Sequence, residues 1–213
     1  MPRQHREEGR FVTGGGFDAI VLAAGSGVRF GGGKLLAPWR DGVLLDGALT
    51  AAFAAPARSV TVVTGAQAVQ VAAAATGFAE RVGRIAHLRL VHAEDYAEGM
   101  GASLRRAAAA LPTDCAGVFV FLGDMPRIPH QVLASLALAV RDGAPAAAPV
   151  FEGQRGHPAL IGQGLLPQLL TLTGDAGARA VLKDLGSRLA LVEASDDGVL
   201  FDVDERGDLA SAP

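Results

Sequence analysis

Asp18-Ala19-Ile20-Val21-Leu22-Ala23-Ala24-Gly25-Ser26-Gly27-Val28-Arg29-Phe30-Gly31-Gly32-Gly33-Lys34 is an apolar run that breaks into glycines. Residues 19–23 are short, apolar and partly β-branched, which predicts a strand covered on both faces. The glycines from 25 to 33 cannot extend it and predict a loop. Outward from this start the pattern repeats. Residues 59–64 (SVTVVT) read as a second buried strand and 88–92 as a third strand, and 117–122 (GVFVFL) is the strongest strand signal in the chain. Between them, residues 66–76 and 103–111 read as helices, the second closed near Pro112. Asp46 is placed to cap a helix through residues 49–55, and residues 130–141 are amphipathic. Alternating strands and helices predict an α/β protein: a three-layer, Rossmann-like, doubly wound and mostly parallel sheet.

After Pro145 the pattern changes. Residues 146–151, the turn 152–156 and residues 157–161 predict paired strands, followed by helices at 164–170 and 176–185. Short strands at 189–193 and 199–203 are expected to finish the sheet. This later part reads as a small mixed or antiparallel extension on the substrate side. Residues 1–17 read as a flexible polar tail. Nothing resembling a linker or an internal repeat divides the rest, so residues 18–213 read as one domain with halves at 18–145 and 146–213.

Composition excludes several classes. A net charge of −3 offers no basic field for nucleic acid. No stretch approaches the roughly 20 apolar residues of a membrane span, and MPRQHREEGR lacks the apolar core of a secretory signal. Cys115 is the only cysteine, so no intrachain disulfide can form, and a cytoplasmic location is expected.

Ligands of doubly wound sheets gather at the carboxyl ends of the strands, so the loops after the first strand and after strand 117–122 hold the candidate chemistry. In the first, glycines let the backbone approach a ligand closely and its free N–H groups make an anion nest, with Arg29 and Lys34 adding positive charge. That combination suits a triphosphate. A Walker loop would need a hydroxyl residue after the lysine, and Leu35 stands there. A dinucleotide site would need an acid after the second strand, which instead ends Thr64-Gly65-Ala66. A plain flexible turn is the remaining alternative. In the second loop, Gly123-Asp124-Met125-Pro126 puts a carboxylate at a strand end, where it can hold Mg²⁺. Asp202 and Asp204 alternate on the expected last strand, so both face one way and are placed to complete that metal site, or else form a solvated acidic edge. No Cys/His spacing suggests zinc.

The glycine loop ending in Lys34-Leu35-Leu36, Gly123-Asp124-Met125-Pro126, Gly156-His157-Pro158, Gly174-Asp175-Ala176-Gly177-Ala178-Arg179 and Asp202-Val203-Asp204 occur in this order. The set resembles the MobA-like NTP transferases, and within them the molybdenum cofactor cytidylyltransferases, through Leu22-Ala23-Ala24-Gly25 and Lys34-Leu35-Leu36. The resemblance spans residues 18–210. It implies a nucleotide-diphospho-sugar-transferase-like fold with a nucleotide-binding half at 18–145 and an acceptor-binding half at 146–213. It implies transfer of CMP from CTP to the terminal phosphate of molybdopterin, with Mg²⁺ or Mn²⁺, and delivery to a client molybdoenzyme or its chaperone. On this resemblance Lys34, Arg29 and Asp124 are catalytic. Leu22, Ala23, Ala24, Gly25, Ser26, Gly27 and Gly31 cradle the nucleotide, and the segment Gly99-Met100-Gly101-Ala102-Ser103, with Gly101 and Ser103 in particular, lies against its base. His157 and Asp175 face the acceptor. Asp124 binds the metal with Asp202 or Asp204. Simpler roles stand beside these: Ser103 and Asp175 as helix caps and His157 as a packed hairpin residue. Two departures are visible. Glu205-Arg206-Gly207-Asp208-Leu209 replaces the family's usual Thr-Pro-Glu-Asp-Leu, and Gly33 directly precedes Lys34. Guanylyl transfer, transfer to another phosphorylated acceptor and non-catalytic cofactor delivery are the alternatives.

Overall fold

The computed structural model describes residues 15–211. Strand β1 (Phe17–Ala23) leads through the glycine loop to a two-strand hairpin, β2 (Pro38–Trp39) and β3 (Gly42–Val43), and then to helix α1 (Leu44–Ala54). There follow β4 (Ala57–Thr64), α2 (Ala68–Arg81), β5 (Leu88–His92), α3 (Met100–Ala109), β6 (Gly117–Leu122) and α4 (Gln131–Arg141). The later half comprises β7 (Ala146–Phe151), β8 (Gln154–Arg155), β9 (Ala159–Gly162), α5 (Leu166–Leu169), α6 (Gly177–Lys183) and β10 (Leu189–Glu193). Among the described residues no helix is long and apolar enough to cross a membrane.

The main sheet runs β10-β7-β9-β6-β1-β4-β5, with β8 paired to β7. β1 is parallel to both β4 and β6, and β4 to β5. Side chains alternate along each strand, so one face of β1 and β6 supplies Phe17, Ala19, Val21, Phe119 and Phe121 to a core shared with α1, α2 and α4. The other face supplies Ile20, Val118 and Val120 to a second core with α3, α5 and α6. Two cores on opposite faces make the three layers expected from the continuous apolar runs. The chain steps outward from β1 to β4 and β5 and then returns to β6 on the other side of β1. The strand order therefore reverses between β1 and β6, and a crevice opens outside their carboxyl ends.

The antiparallel part is not an appendage: β9 lies between β6 and β7, antiparallel to both, and β10 extends the sheet parallel to β7. Three expectations need correction. Residues 1–14 of the expected tail lie outside the described residues, but its last residue, Phe17, opens β1 and packs edge-on against Phe119. The helix after β3 starts at Leu44, and Asp46 sits in its first turn rather than ahead of it. The expected strand at 199–203 does not form. The Asp196 carboxylate accepts a hydrogen bond from the Gly198 N–H (2.9 Å) and starts a 3₁₀ turn at Asp197–Val199. Val199 and Val203 are then buried in two different cores.

Candidate active site

The carboxyl ends of β1 and β6 open onto a cleft of about 720 Å³. Its floor is a charge network. Lys34 donates to the Asp124 carboxylate at 2.6 Å and lies 3.8 Å from Asp204, while Arg29, from the glycine loop, pairs with Asp204. Lys34 is 14% exposed and Arg29 76% exposed, so the first sits deep and the second at the rim. Asp202 also lines the cleft. Desolvation of its carboxyl, and then the like charges of Asp124 and Asp204, raise its pKa above the ordinary carboxylate range, although the residue as a whole is exposed.

Three local structures hold these groups in place. Gly123 N–H donates to the Leu22 carbonyl (2.9 Å), which ties the Asp124 turn to the end of β1. Gly27, Gly31, Gly32 and Gly33 all adopt positive φ, which residues with a Cβ rarely adopt, and the loop they shape folds back with Phe30 buried beneath it. Phe30 joins Ala37, Trp39, Leu44 and Val203 in a small separate core. Val203 N–H donates to the Asp124 carbonyl (3.0 Å), so Asp202 and Asp204 flank a residue anchored to the Asp124 turn. The two late aspartates thus reach the site from an irregular segment pinned at Val203, not from a sheet strand.

The cleft brings together Leu22, Ala24, Gly25, Ser26, Gly27, Arg29, Lys34, Ser103, Asp124, Asp175, Asp202 and Asp204 from the sequence reading. Four expected residues are not on its wall. Ala23 is buried beneath β1 because alternation turns it into the core. Gly31 is exposed and absent from the lining, with nothing within 4 Å of a Cβ position. Gly101 instead packs on the loop at residues 173–174, donating to the Gly174 carbonyl at 2.7 Å. His157 lies behind the wall. Its backbone N–H donates to the Val199 carbonyl (2.8 Å), and its ring Nδ1 is buried with no partner. Burial, and then the positive charge of Arg179, push its pKa down to about 4 against the opposing pull of Asp124, so it is neutral near pH 7.

The capping roles do not hold for Ser103 or Asp175. Ser103 is inside α3, whose N-cap is Gly99, and the residue before α6 is Ala176. Both residues line the cleft. Val28 and Phe30 of the glycine loop and Gly99 and Met100 of the expected base-side segment also line the cleft, and the sequence reading missed Tyr96, Ala97 and Leu122. For Tyr96 a signal existed in Gly65. A Cβ there would lie 2.8 Å from the Tyr96 ring and 2.4 Å from the Ala24 carbonyl, so glycine is what lets the ring approach the end of β1.

Among the described residues no three Asp, Glu, His or Cys side chains converge closely enough to make a metal cage. Mg²⁺ does not require one. It is commonly held by one or two carboxylates with waters and phosphate oxygens, and Asp124 and Asp204 both lie near enough to Asp202 to disfavour its charge.

Comparison with known proteins agrees with this geometry. A model of the MobA-like NTP transferase domain matches residues 19–190. Nicotine blue oxidoreductase of Paenarthrobacter nicotinovorans is 33% identical over 193 residues, spanning 87% of this chain and 90% of that protein. Molybdenum cofactor cytidylyltransferase of Escherichia coli is 28% identical over 195 residues, spanning 92% and 94%. The crystal structure of a homologue of Mycobacterium tuberculosis rv0371c from a Mycobacterium species superposes with a TM-score of 0.79 at 29% identity, covering 92% of this chain and 96% of that one. A glycine loop and an opposed aspartate on this sheet, with a family match across most of the chain, make the protein a member of the MobA-like NTP transferase family, a nucleotidyltransferase.

Proposed function

We propose that the enzyme transfers CMP from CTP to the terminal phosphate of molybdopterin in the cytoplasm, giving molybdopterin cytosine dinucleotide and pyrophosphate. The observation that carries this reading is Lys34, held between Asp124 and Asp204 on the floor of a glycine-walled cleft. An acceptor phosphate oxygen attacks the α-phosphorus, and the bond to the bridging oxygen breaks to release pyrophosphate. The acceptor is already an anion, so no strong general base is needed, which agrees with a site without a His–Asp dyad. The backbone of residues 25–27 and Arg29 bind the triphosphate, and Lys34 neutralises the charge that builds on the leaving pyrophosphate. Asp124, with Asp202 or Asp204, would hold Mg²⁺ or Mn²⁺, which supplies further charge neutralisation at the phosphates. Residues 18–145 form the nucleotide half and 146–213 the acceptor half, with Asp175 on the acceptor side. Leu22-Ala23-Ala24-Gly25 and the Escherichia coli relative favour cytidylyl over guanylyl transfer. A client molybdoenzyme or its chaperone would receive the product.

The test is pyrophosphate release with Mg²⁺, molybdopterin and CTP, GTP, ATP or UTP in parallel. Pterin-dependent release with CTP is expected, and release with GTP alone would move the reading to the guanylyl branch. The identity with nicotine blue oxidoreductase favours a second reading, a redox enzyme on the same scaffold. Redox turnover of nicotine blue, with no pyrophosphate from any nucleotide, would establish that one instead.

A further inference from the structure

Arg105 does not line the cleft, yet its guanidinium bonds to both of the segments that form the side wall. One nitrogen donates to the Leu172 carbonyl at 2.6 Å. Another donates to Asp95 at 2.6 Å and lies 3.5 Å from Glu98. Asp95 and Glu98 flank Tyr96 and Ala97, which line the nucleotide side of the cleft, while Leu172 opens the loop that carries Asp175 to the acceptor side. The two segments also touch directly. Gly101 N–H donates to the Gly174 carbonyl at 2.7 Å, and a Cβ on Gly99 would stand 2.5 Å from the Asp175 carboxylate.

Packing alone does not account for the junction. The Leu172 side chain is held in the core beside Leu104 and Ala178, but its carbonyl takes its hydrogen bond from Arg105, and Thr173, Gly174 and Asp175 are all exposed beyond it. A planar guanidinium can bind a carbonyl and a carboxylate at once in a fixed fork, whereas an ammonium cannot hold the same two directions.

We propose that Arg105 is a positioning residue that clamps the nucleotide-side turn at residues 95–101 to the acceptor-side loop at residues 172–175, so that nucleotide binding at one wall orders the other. The clamp gives the transferase a physical reason to bind its nucleotide before its acceptor, and to that extent it rests on the function proposed above. It adds no chemistry at the reacting phosphates. Its loss acts on acceptor binding rather than on the transfer step.

The test is hydrogen–deuterium exchange of the full chain, with and without Mg-CTP, comparing wild type with Arg105→Lys and Asp95→Asn. Without nucleotide, both variants are expected to exchange faster than wild type in residues 93–101 and in 172–177 together. With Mg-CTP, wild type is protected in both segments, and Arg105→Lys only in 93–101. In the transfer assay the same variant raises the KM for molybdopterin about tenfold while kcat holds, the size of a typical coupling between sites. Unchanged exchange in 172–177 for both variants overturns the clamp. Protection of both segments by Mg-CTP in a folded Arg105→Lys protein overturns the coupling. If no nucleotide protects wild type in any segment, the nucleotide reading of the cleft fails, and the clamp is still decided by the exchange without nucleotide.

Discussion

At the scale of single residues the site is a contest over Lys34. Its ammonium is shared by Asp124 and Asp204, and a bound triphosphate would draw it toward the phosphates and leave the carboxylates to a cation. Lys34→Ala and Asp124→Ala are each expected to lower kcat by about 10²–10³ while the protein stays folded, the size seen when one donor to developing charge is removed. Circular dichroism beside the pyrophosphate assay checks both halves of that expectation, and near-normal turnover in Asp124→Ala would sink the metal assignment. Both residues were placed in the cleft by the sequence reading because Asp124 stands just past the strongest strand signal and Lys34 closes the glycine loop after the first strand. His157 was not legible in this way, since a histidine after a turn reads equally as ligand or as packing. Its pKa falls from an ordinary 6.5 to about 4 through burial. The unfolded chain therefore binds the proton first as pH drops. Stability from this group is fully present above about pH 6.5 and is lost toward pH 4, by up to roughly 3 kcal/mol. Urea midpoints across that window should slope in wild type and flatten in His157→Gln.

At the scale of elements, the glycine loop takes its shape from residues far along the chain. Phe30 is 3% exposed, packed with Trp39, Leu44 and Val203, and covered by the Arg206 guanidinium 4.8 Å from its ring centre. Phe30→Ala is expected to cost about 3 kcal/mol by leaving a cavity there. It should also raise the KM for nucleotide, because the loop and the Asp202–Asp204 segment would lose their common anchor. Thermal melts and nucleotide titration measure the two effects separately, and a destabilised variant with unchanged KM would detach the anchor from the site. The sequence reading placed a short strand at 199–203, with Asp202 and Asp204 on one face. Instead the Asp196 carboxylate caps a 3₁₀ turn, and Val203 bonds to the Asp124 carbonyl and packs in the Phe30 core.

At the scale of the molecule, the reversal of strand order between β1 and β6 fixes where the site lies, and the opposite end of β1 is secured by a buried acid. Asp18 is 1% exposed and accepts from Arg58 and Ser59, each at 2.8 Å. Asp18→Asn is expected to lose about 1–3 kcal/mol, because an amide cannot accept from both donors as a carboxylate does. Denaturant unfolding measures the loss, and activity per folded molecule should be unchanged, since this end lies across the sheet from the cleft. The sequence by itself determined the strands of the parallel core, the layers and the two charged loops, because these depend on local apolar runs and on glycines that few other residues can replace. Only the tertiary structure decided that β9 inserts between β6 and β7, that His157 lies behind the wall, that Tyr96 fits through Gly65, and that Arg105 joins the two sides. Each of these depends on residues far apart in the chain meeting at close range, and local periodicity carries no record of such meetings.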